Sequence, residues 1–280
     1  MSTAPLFSLR GYGVSYRDRV GRHAALQAID LDIAAGRHLA ILGESGSGKS
    51  TLALALAGLL PASAVSSGSL AAPGFEGPPR PGRDIGLVFQ DPGGSLDPVM
   101  RVGEQIAEAR HVNRGGDWAN ARLDAQAWLG RVAIGLPSVS ARKYPHQFSG
   151  GQKQRAALAA ALAGDPSVLI ADEPTSALDT ITQQGIVTLL LDLASQKGLT
   201  LIFVTHDIAL ASQIADDVVI LYQGRLIETG PATRVFTTPA HPYTAALLAT
   251  RVTLDGPRHR RFAEINITDF SVTAPEPRRE

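Results

Sequence analysis

The sequence predicts an α/β fold with an inserted helical lobe, and three observations carry that expectation. Residues Gly43 to Thr51 read GESGSGKST, preceded by the apolar run HLAIL (His38–Leu42) and followed by the Ala- and Leu-rich LALALAGLL (Leu52–Leu60). Buried strand, glycine loop and helix in that order make the spacing a phosphate-binding loop, the start of a P-loop NTPase core. Residues Ser167 to Pro174 read SVLIADEP, an apolar strand that delivers two adjacent acids to the edge where α/β sheets bind ligands. From Ser95 to Ala163 the pattern turns helical, with VGEQIAEARHV followed by ANARLDAQAWLGRVAI. Trp128 is expected to be buried there.

The remaining elements follow in order. Leu6 to Leu42 contains strand-like runs (AIDLDIAAG, HLAIL) and predicts an antiparallel β-layer leading into the nucleotide core. Pro61 to Arg83 is rich in Pro, Gly and Ser and reads as a loop. Asp84 to Gln90 reads as a strand. After the second acidic strand come a helix through Thr182 to Gln196, the strand TLIFVTHD, and a hairpin-like VVILYQGRLIETG. No internal repeat is visible.

The loop chemistry is explicit. Gly43, Glu44, Ser45, Gly46, Ser47, Gly48, Lys49, Ser50 and Thr51 would surround phosphates with backbone N–H groups, helped by the helix dipole. Lys49 would reach the β- and γ-phosphates and the Ser50 hydroxyl would ligate Mg²⁺. Asp172 would hold Mg²⁺, directly or through water, and Glu173 would polarise an attacking water. Together these residues describe an ATP site that uses Mg²⁺.

A further segment, YPHQFSGGQKQR (Tyr144–Arg155), precedes the Ala-rich AALAAALAG. Ala and Leu fill a strong helix, and Gly164, Asp165 and Pro166 stop it. Ser149, Gly150, Gly151 and Gln152 at its start form a second anion site. The segment resembles the signature of ATP-binding cassette (ABC) ATPases, usually LSGGQ, with Phe148 in place of the Leu. That resemblance implies that the second anion site caps the γ-phosphate held by a partner subunit. It also implies roles for residues with ordinary readings of their own. Gln90, in LVFQDP, matches a glutamine that touches Mg²⁺ and the attacking water, although alone it reads as a polar loop residue. Asp179, in SALD, matches a loop that crosses between paired subunits, although SALD also reads as a helix cap. His206, in LIFVTHD, matches a switch histidine at the γ-phosphate, where a strand-end His is often structural. Tyr16 matches an aromatic that stacks on adenine, with Tyr12 nearby and packing as the plain reading.

The resemblance covers roughly residues 6–250, as one ATPase domain with its helical signature subdomain at about 95–163, and leaves 251–280 as a C-terminal extension. FQDPGGSLDPVMRVGEQI, GLLP after the loop helix, and HPYT (His241–Thr244) resemble the importer branch for peptides and nickel. From the residues alone, HPYT is a helix start with Pro near its first turn. Many relatives carry a cysteine-rich tail; Asp255–Glu280 has none, which leans towards nickel- or metallophore-type members. The implied partners are a second ATPase subunit, identical or heterologous, two membrane permeases, and indirectly a substrate-binding protein. The implied place is the cytoplasmic face of the inner membrane. Non-transport cassettes are the alternative, in DNA repair, translation or assembly of a carbon–phosphorus lyase-like complex. Most of those show paired cassettes, long insertions or basic patches, none of which is visible here, but the lyase-type subunits also end in HPYT-like tails.

Composition bounds the rest. The 280 residues carry 26 basic and 26 acidic side chains, so the formal net charge is zero and a broad nucleic-acid-binding surface is not expected. No uninterrupted apolar stretch reaches about 20 residues, the length a membrane span needs. MSTAPLFSLRGYG lacks the layout of a secretory leader. With no cysteine, disulfides and cysteine-ligated metal sites are excluded.

Overall fold

A computed structural model describes residues 4–17, 21–176 and 178–252. The carboxyl-terminal extension therefore lies almost wholly outside the described residues. The chain opens with β1 (Phe7–Arg17) and β2 (Arg22–Ile33), an antiparallel pair, then enters the core through β3 (Leu39–Leu42) and α1 (Lys49–Leu56). After β4 (Ala64–Ala71) and β5 (Ile85–Val88), the helical lobe comprises α2 (Pro92–Ser95), α3 (Val102–Arg114), α4 (Trp118–Arg131), α5 (Pro137–Ser140) and α6 (Gly150–Ala163). The core resumes with β6 (Val168–Asp172), α7 (Thr180–Lys197), β7 (Thr200–Thr205), α8 (Ile208–Ile214), β8 (Asp217–Tyr222) and β9 (Arg225–Pro231). It closes with α9 (Ala232–Thr237) and α10 (Pro242–Val252).

Two sheets result. The antiparallel sheet has the order β2-β1-β4, and the larger one β5-β6-β7-β3-β8-β9, parallel except for β9. Two expectations are corrected here. The run HLAIL does not extend the antiparallel layer; it is the strand β3 at the middle of the parallel sheet. Pro61–Arg83 is not all loop, because its residues 64–71 pair with β1 as β4.

β3, β6 and β7 are buried along their whole length because both faces are covered. Their side chains alternate with period two between separate clusters. Val168, Ile170, Ile202 and Val204 face α1 and the antiparallel sheet, while Leu169, Ala171, Leu201 and Phe203 face the helical lobe and α7. A third cluster, around Leu42, Tyr222, Val235 and Tyr243, seats the C-terminal helices on β3 and β8. Trp128 is buried at 5% exposure, flanked by Arg131 and Lys197, each 4.9 Å from its ring centroid. Phe148 is buried in the same lobe, so the residue that departs from the usual signature leucine still fills the leucine's apolar place. Among the described residues no helix is long and apolar enough to cross a membrane.

Candidate nucleotide site

Four neighbouring parallel strands, in the order β5-β6-β7-β3, end at the same edge of the sheet, and each delivers a functional candidate there. The phosphate loop follows β3. Gly48 holds φ at 101°, and a Cβ on it would come within 2.5 Å of the Ala25 carbonyl, so the loop's final turn requires glycine. Lys49 follows as the first residue of α1. Its Nζ donates to the carbonyls of Gly43 at 2.9 Å and Glu44 at 2.8 Å, which folds the side chain over its own loop. Burial of this ammonium pulls its pKa down, opposed by the nearby carboxylates of Glu173, Asp172 and Glu44.

β6 ends in Asp172, which is buried, and Glu173, whose backbone takes a positive φ of 43°. That left-handed turn is uncommon for a non-glycine residue. It is held by the Glu173 N–H donating to the Val204 carbonyl at 2.9 Å. One Glu173 oxygen accepts from Gln90 Nε2 at 3.1 Å, and the other lies 3.3 Å from His206 Nδ1. Gln90 arrives from the end of β5 and His206 from the end of β7, so three strand ends meet at one carboxylate. Burial pushes the Asp172 carboxyl up, countered by the Ser50 hydroxyl donating to it. Asp172 Oδ1 is buried without a hydrogen-bond partner. An orphaned carboxylate oxygen beside a serine hydroxyl suits Mg²⁺, a hard cation that takes one or two protein oxygens and fills its remaining positions with phosphate and water.

Apart from the buried Asp172, these groups line one cleft of about 740 Å³, bounded by Tyr16, Glu44, Ser45, Gly46, Gly48, Lys49, Ser50, Thr51, Gln90, Glu173 and His206, together with His23 and Ala25. Tyr16 stands directly opposite His23 across the β1–β2 ladder, and its hydroxyl donates to Thr51 Oγ1 at 3.3 Å. His23 and Ala25 were not expected; pairing the hairpin around Tyr16 places them. Gly43 and Ser47 are buried behind the loop rather than lining the cleft. A second concavity, about 550 Å³ between Gly74 and Asp84, is walled by prolines and loop residues; it carries Glu76 and Asp84 beside Arg80 and Arg83 but no lysine.

The remaining candidates lie elsewhere. Ser149, Gly150 and Gln152 are exposed at the tip of α6 and do not line the cleft. Ser149 and Gln152 form a capping box, with Gln152 N donating to Ser149 Oγ at 3.3 Å and Ser149 N to Gln152 Oε1 at 3.0 Å. Gly151 sits against α7, where a Cβ would approach Thr182 Cγ2 to 2.6 Å. Asp179 caps α7, accepting from Thr182 N at 3.0 Å and Thr182 Oγ1 at 2.7 Å. Within one chain, then, these residues belong to a separate surface, and the cap reading of SALD describes what the Asp179 side chain does here.

The family profile described as ABC transporter matches residues 26–176, more than half of the chain. The chain belongs to the ABC transporter ATPase family. This cassette is 39% identical over 263 residues to a putative peptide import ATP-binding protein of Brucella melitensis, covering 89% of the chain and 78% of that relative. It is 36% identical over 280 residues to the oligopeptide transport ATP-binding protein OppD of Bacillus subtilis, covering 96% of the chain and 78% of OppD. Among solved structures it resembles the dimeric post-hydrolysis state of the ATP-binding cassette MJ0796 bound to ADP and Pi, at TM-score 0.70 and 29% identity, covering 81% of the chain and 98% of that cassette. It also resembles cbiO1 of Clostridium perfringens, part of the ABC transporter complex cbiONQ, at TM-score 0.68 and 30% identity, covering 89% and 98%. A profile described as AAA domain, putative AbiEii toxin, matches residues 141–212, the stretch holding the signature tip and the acidic strand. As an ABC ATPase, the cassette hydrolyses ATP.

Proposed function

We propose that this chain is the energy-coupling ATPase of a peptide-type importer, peripheral on the cytoplasmic face of the inner membrane. It works as a pair of cassettes, with an identical or heterologous partner, beneath two permease subunits fed by a binding protein. Residues 6–250 form the ATPase domain, with the signature subdomain at about 95–163 and the extension 251–280 beyond it. The observation that carries the reading is the convergence of Lys49, Ser50, Gln90, Glu173 and His206 on one cleft. Peptide transport is supported by the names of relatives that match along most of the chain.

Lys49 leaves its loop carbonyls to bind the β- and γ-phosphates, while loop residues 43–51 cradle them and Tyr16 supports the base. Ser50 and Asp172 would hold Mg²⁺, with Gln90 beside them, and the bound ion would supply charge that offsets the phosphates. Glu173 orients and deprotonates the attacking water, held at the correct angle by Gln90 and His206. Since Ser149, Gly150, Gly151 and Gln152 stand outside this cleft, they act on the partner's nucleotide, and Asp179 shapes the surface between the two chains. ATP then closes the pair and hydrolysis parts it, and that motion drives the permeases. Nickel or metallophore transport is the second reading, favoured only by the absence of cysteine.

The test is reconstitution with the cognate permeases and binding protein. Peptide-loaded binding protein should stimulate Mg-ATP hydrolysis. Stimulation by nickel or a metallophore, with none by peptide, would replace the cargo assignment, and no stimulation by any of them would overturn the transport role.

A further inference from the structure

His23 borders the nucleotide cleft, and an irregularity in β2 puts it there. Val14 of β1 lies opposite Leu26, whereas the next residue, Ser15, lies opposite Ala24. β1 advances by one residue where β2 advances by two, so Ala25 is the extra residue of a β-bulge. Had the register run on unbroken from Val14, Tyr16 would face Ala24. With the bulge it faces His23. Directly opposite residues of an antiparallel pair share a face of the sheet, and Tyr16 and His23 both border the cleft.

The bulge is locked to the phosphate loop. Its Ala25 carbonyl fits between two glycines: a Cβ on Gly48, the cap of α1, would come within 2.5 Å of it, and one on Gly224, in the turn between β8 and β9, within 2.7 Å. Gln27 N–H donates to the Gly224 carbonyl at 2.7 Å, and Gly224 N–H donates to the Ser47 carbonyl at 3.0 Å. Loop, turn and bulge therefore hold one another and fix where His23 stands. It precedes Ala25 by two residues, roughly 7 Å along a strand of ordinary rise. That distance lies beyond the phosphate cradle but within reach of the sugar and base of a nucleotide whose phosphates occupy it.

We propose that His23 is a nucleobase-contacting residue: its imidazole and the Tyr16 ring form a two-ring platform that carries the base of the bound nucleotide. Tyr16 is tethered through its hydroxyl to Thr51 Oγ1 at 3.3 Å, and His23 is exposed, so its ring is open to a ligand. Stacking asks only for a flat face, which every base presents. The bulge exchanges an alanine for an aromatic ring beside Tyr16, which enlarges the surface a base can cover. This role deepens the nucleotide reading of the cleft and rests on it.

The test measures binding of Mg-ATP and of Mg-tripolyphosphate to the full chain by isothermal titration calorimetry, in wild type, His23→Ala, His23→Phe and Lys49→Ala. Tripolyphosphate carries the phosphates without sugar or base. His23→Ala should weaken ATP binding by about 5- to 30-fold, as for loss of a ring stacked on a base. Its affinity for tripolyphosphate and its kcat at saturating ATP should be unchanged. His23→Phe keeps a flat ring and should restore ATP binding. Wild-type ATP affinity in His23→Ala would overturn the proposal. So would an equal loss for both ligands, because that places the effect at the phosphates. Failure of His23→Phe to restore binding would overturn it too, since the contact would then be a hydrogen bond from the imidazole. Lys49→Ala separates the two levels: if it binds both ligands normally, the cleft assignment has failed, and if only His23→Ala is silent, the platform alone has failed.

Discussion

Gln90 and Glu173 stand 83 positions apart in the chain and 3.1 Å apart in space, with the glutamine amide donating to the carboxylate. One residue follows β5 and the other follows β6, adjacent parallel strands, so sheet register alone brings them together. The contact ties the Glu173 carboxylate to the segment that leads into the helical lobe. A movement of that lobe can therefore draw Gln90 away from Glu173.

Glu173→Gln should bind ATP with wild-type affinity but turn it over about 10²- to 10⁴-fold more slowly, the span attributed to a positioned general base. Closed dimers should accumulate with ATP, visible by size-exclusion chromatography. Wild-type turnover in this variant would remove Glu173 from its role.

Lys49→Ala deletes a charge-assisted contact to phosphate. Affinity for ATP should fall by about 10- to 100-fold, read by equilibrium binding of a fluorescent nucleotide. Unchanged affinity would refute the loop assignment.

His206→Ala tests the other side of the carboxylate. The exposed imidazole is free to turn from Glu173 towards a bound γ-phosphate. Its loss should lower kcat on the order of 10²-fold, as for removal of one preorganised donor, and should change ATP affinity by far less. An equal loss in both would recast His206 as a binding group only.

Glu228 gives a pH prediction. Burial pushes its carboxyl up, but the N–H groups of Ala240 and His241, the Thr244 hydroxyl and Arg234 outweigh that and hold it below the ordinary 4.5. A carboxylate with a depressed folded-state pKa stabilises the protein fully above its unfolded value, and that stabilisation is lost as pH falls through the folded value. Wild type should therefore melt higher than Glu228→Gln near neutral pH, and the gap should close below about pH 4.5. A gap that stays constant with pH would show that the carboxylate charge plays no part.

The core was legible because buried parallel strands announce themselves. LAIL, VLIAD and TLIFVT are continuous apolar runs, and the residues just beyond them (Gly43, Glu173, His206) fall at one edge. β4 escaped because AVSSGSLA is mostly exposed: it is a strand by virtue of backbone pairing with β1, which leaves no side-chain pattern. His23 escaped for a related reason, since its place in the cleft depends on the register that sets it against Tyr16. The α6 tip and Asp179 were recognised by resemblance, yet their distance from the cleft required coordinates. HPYT was readable as a helix start led by Pro242, but the packing of Tyr243 on Tyr222 joins segments that no local pattern connects.

The central claim is that one chain holds a cleft and a detached signature tip, so each nucleotide needs residues from two chains. The direct measurement is ATP turnover per chain at saturating Mg-ATP in preparations whose assembly state is followed by light scattering. Turnover is expected to collapse in dilute, monomeric samples and to recover when cassettes pair, with a second copy or with a heterologous partner. Full turnover by a strictly monomeric chain would contradict the account.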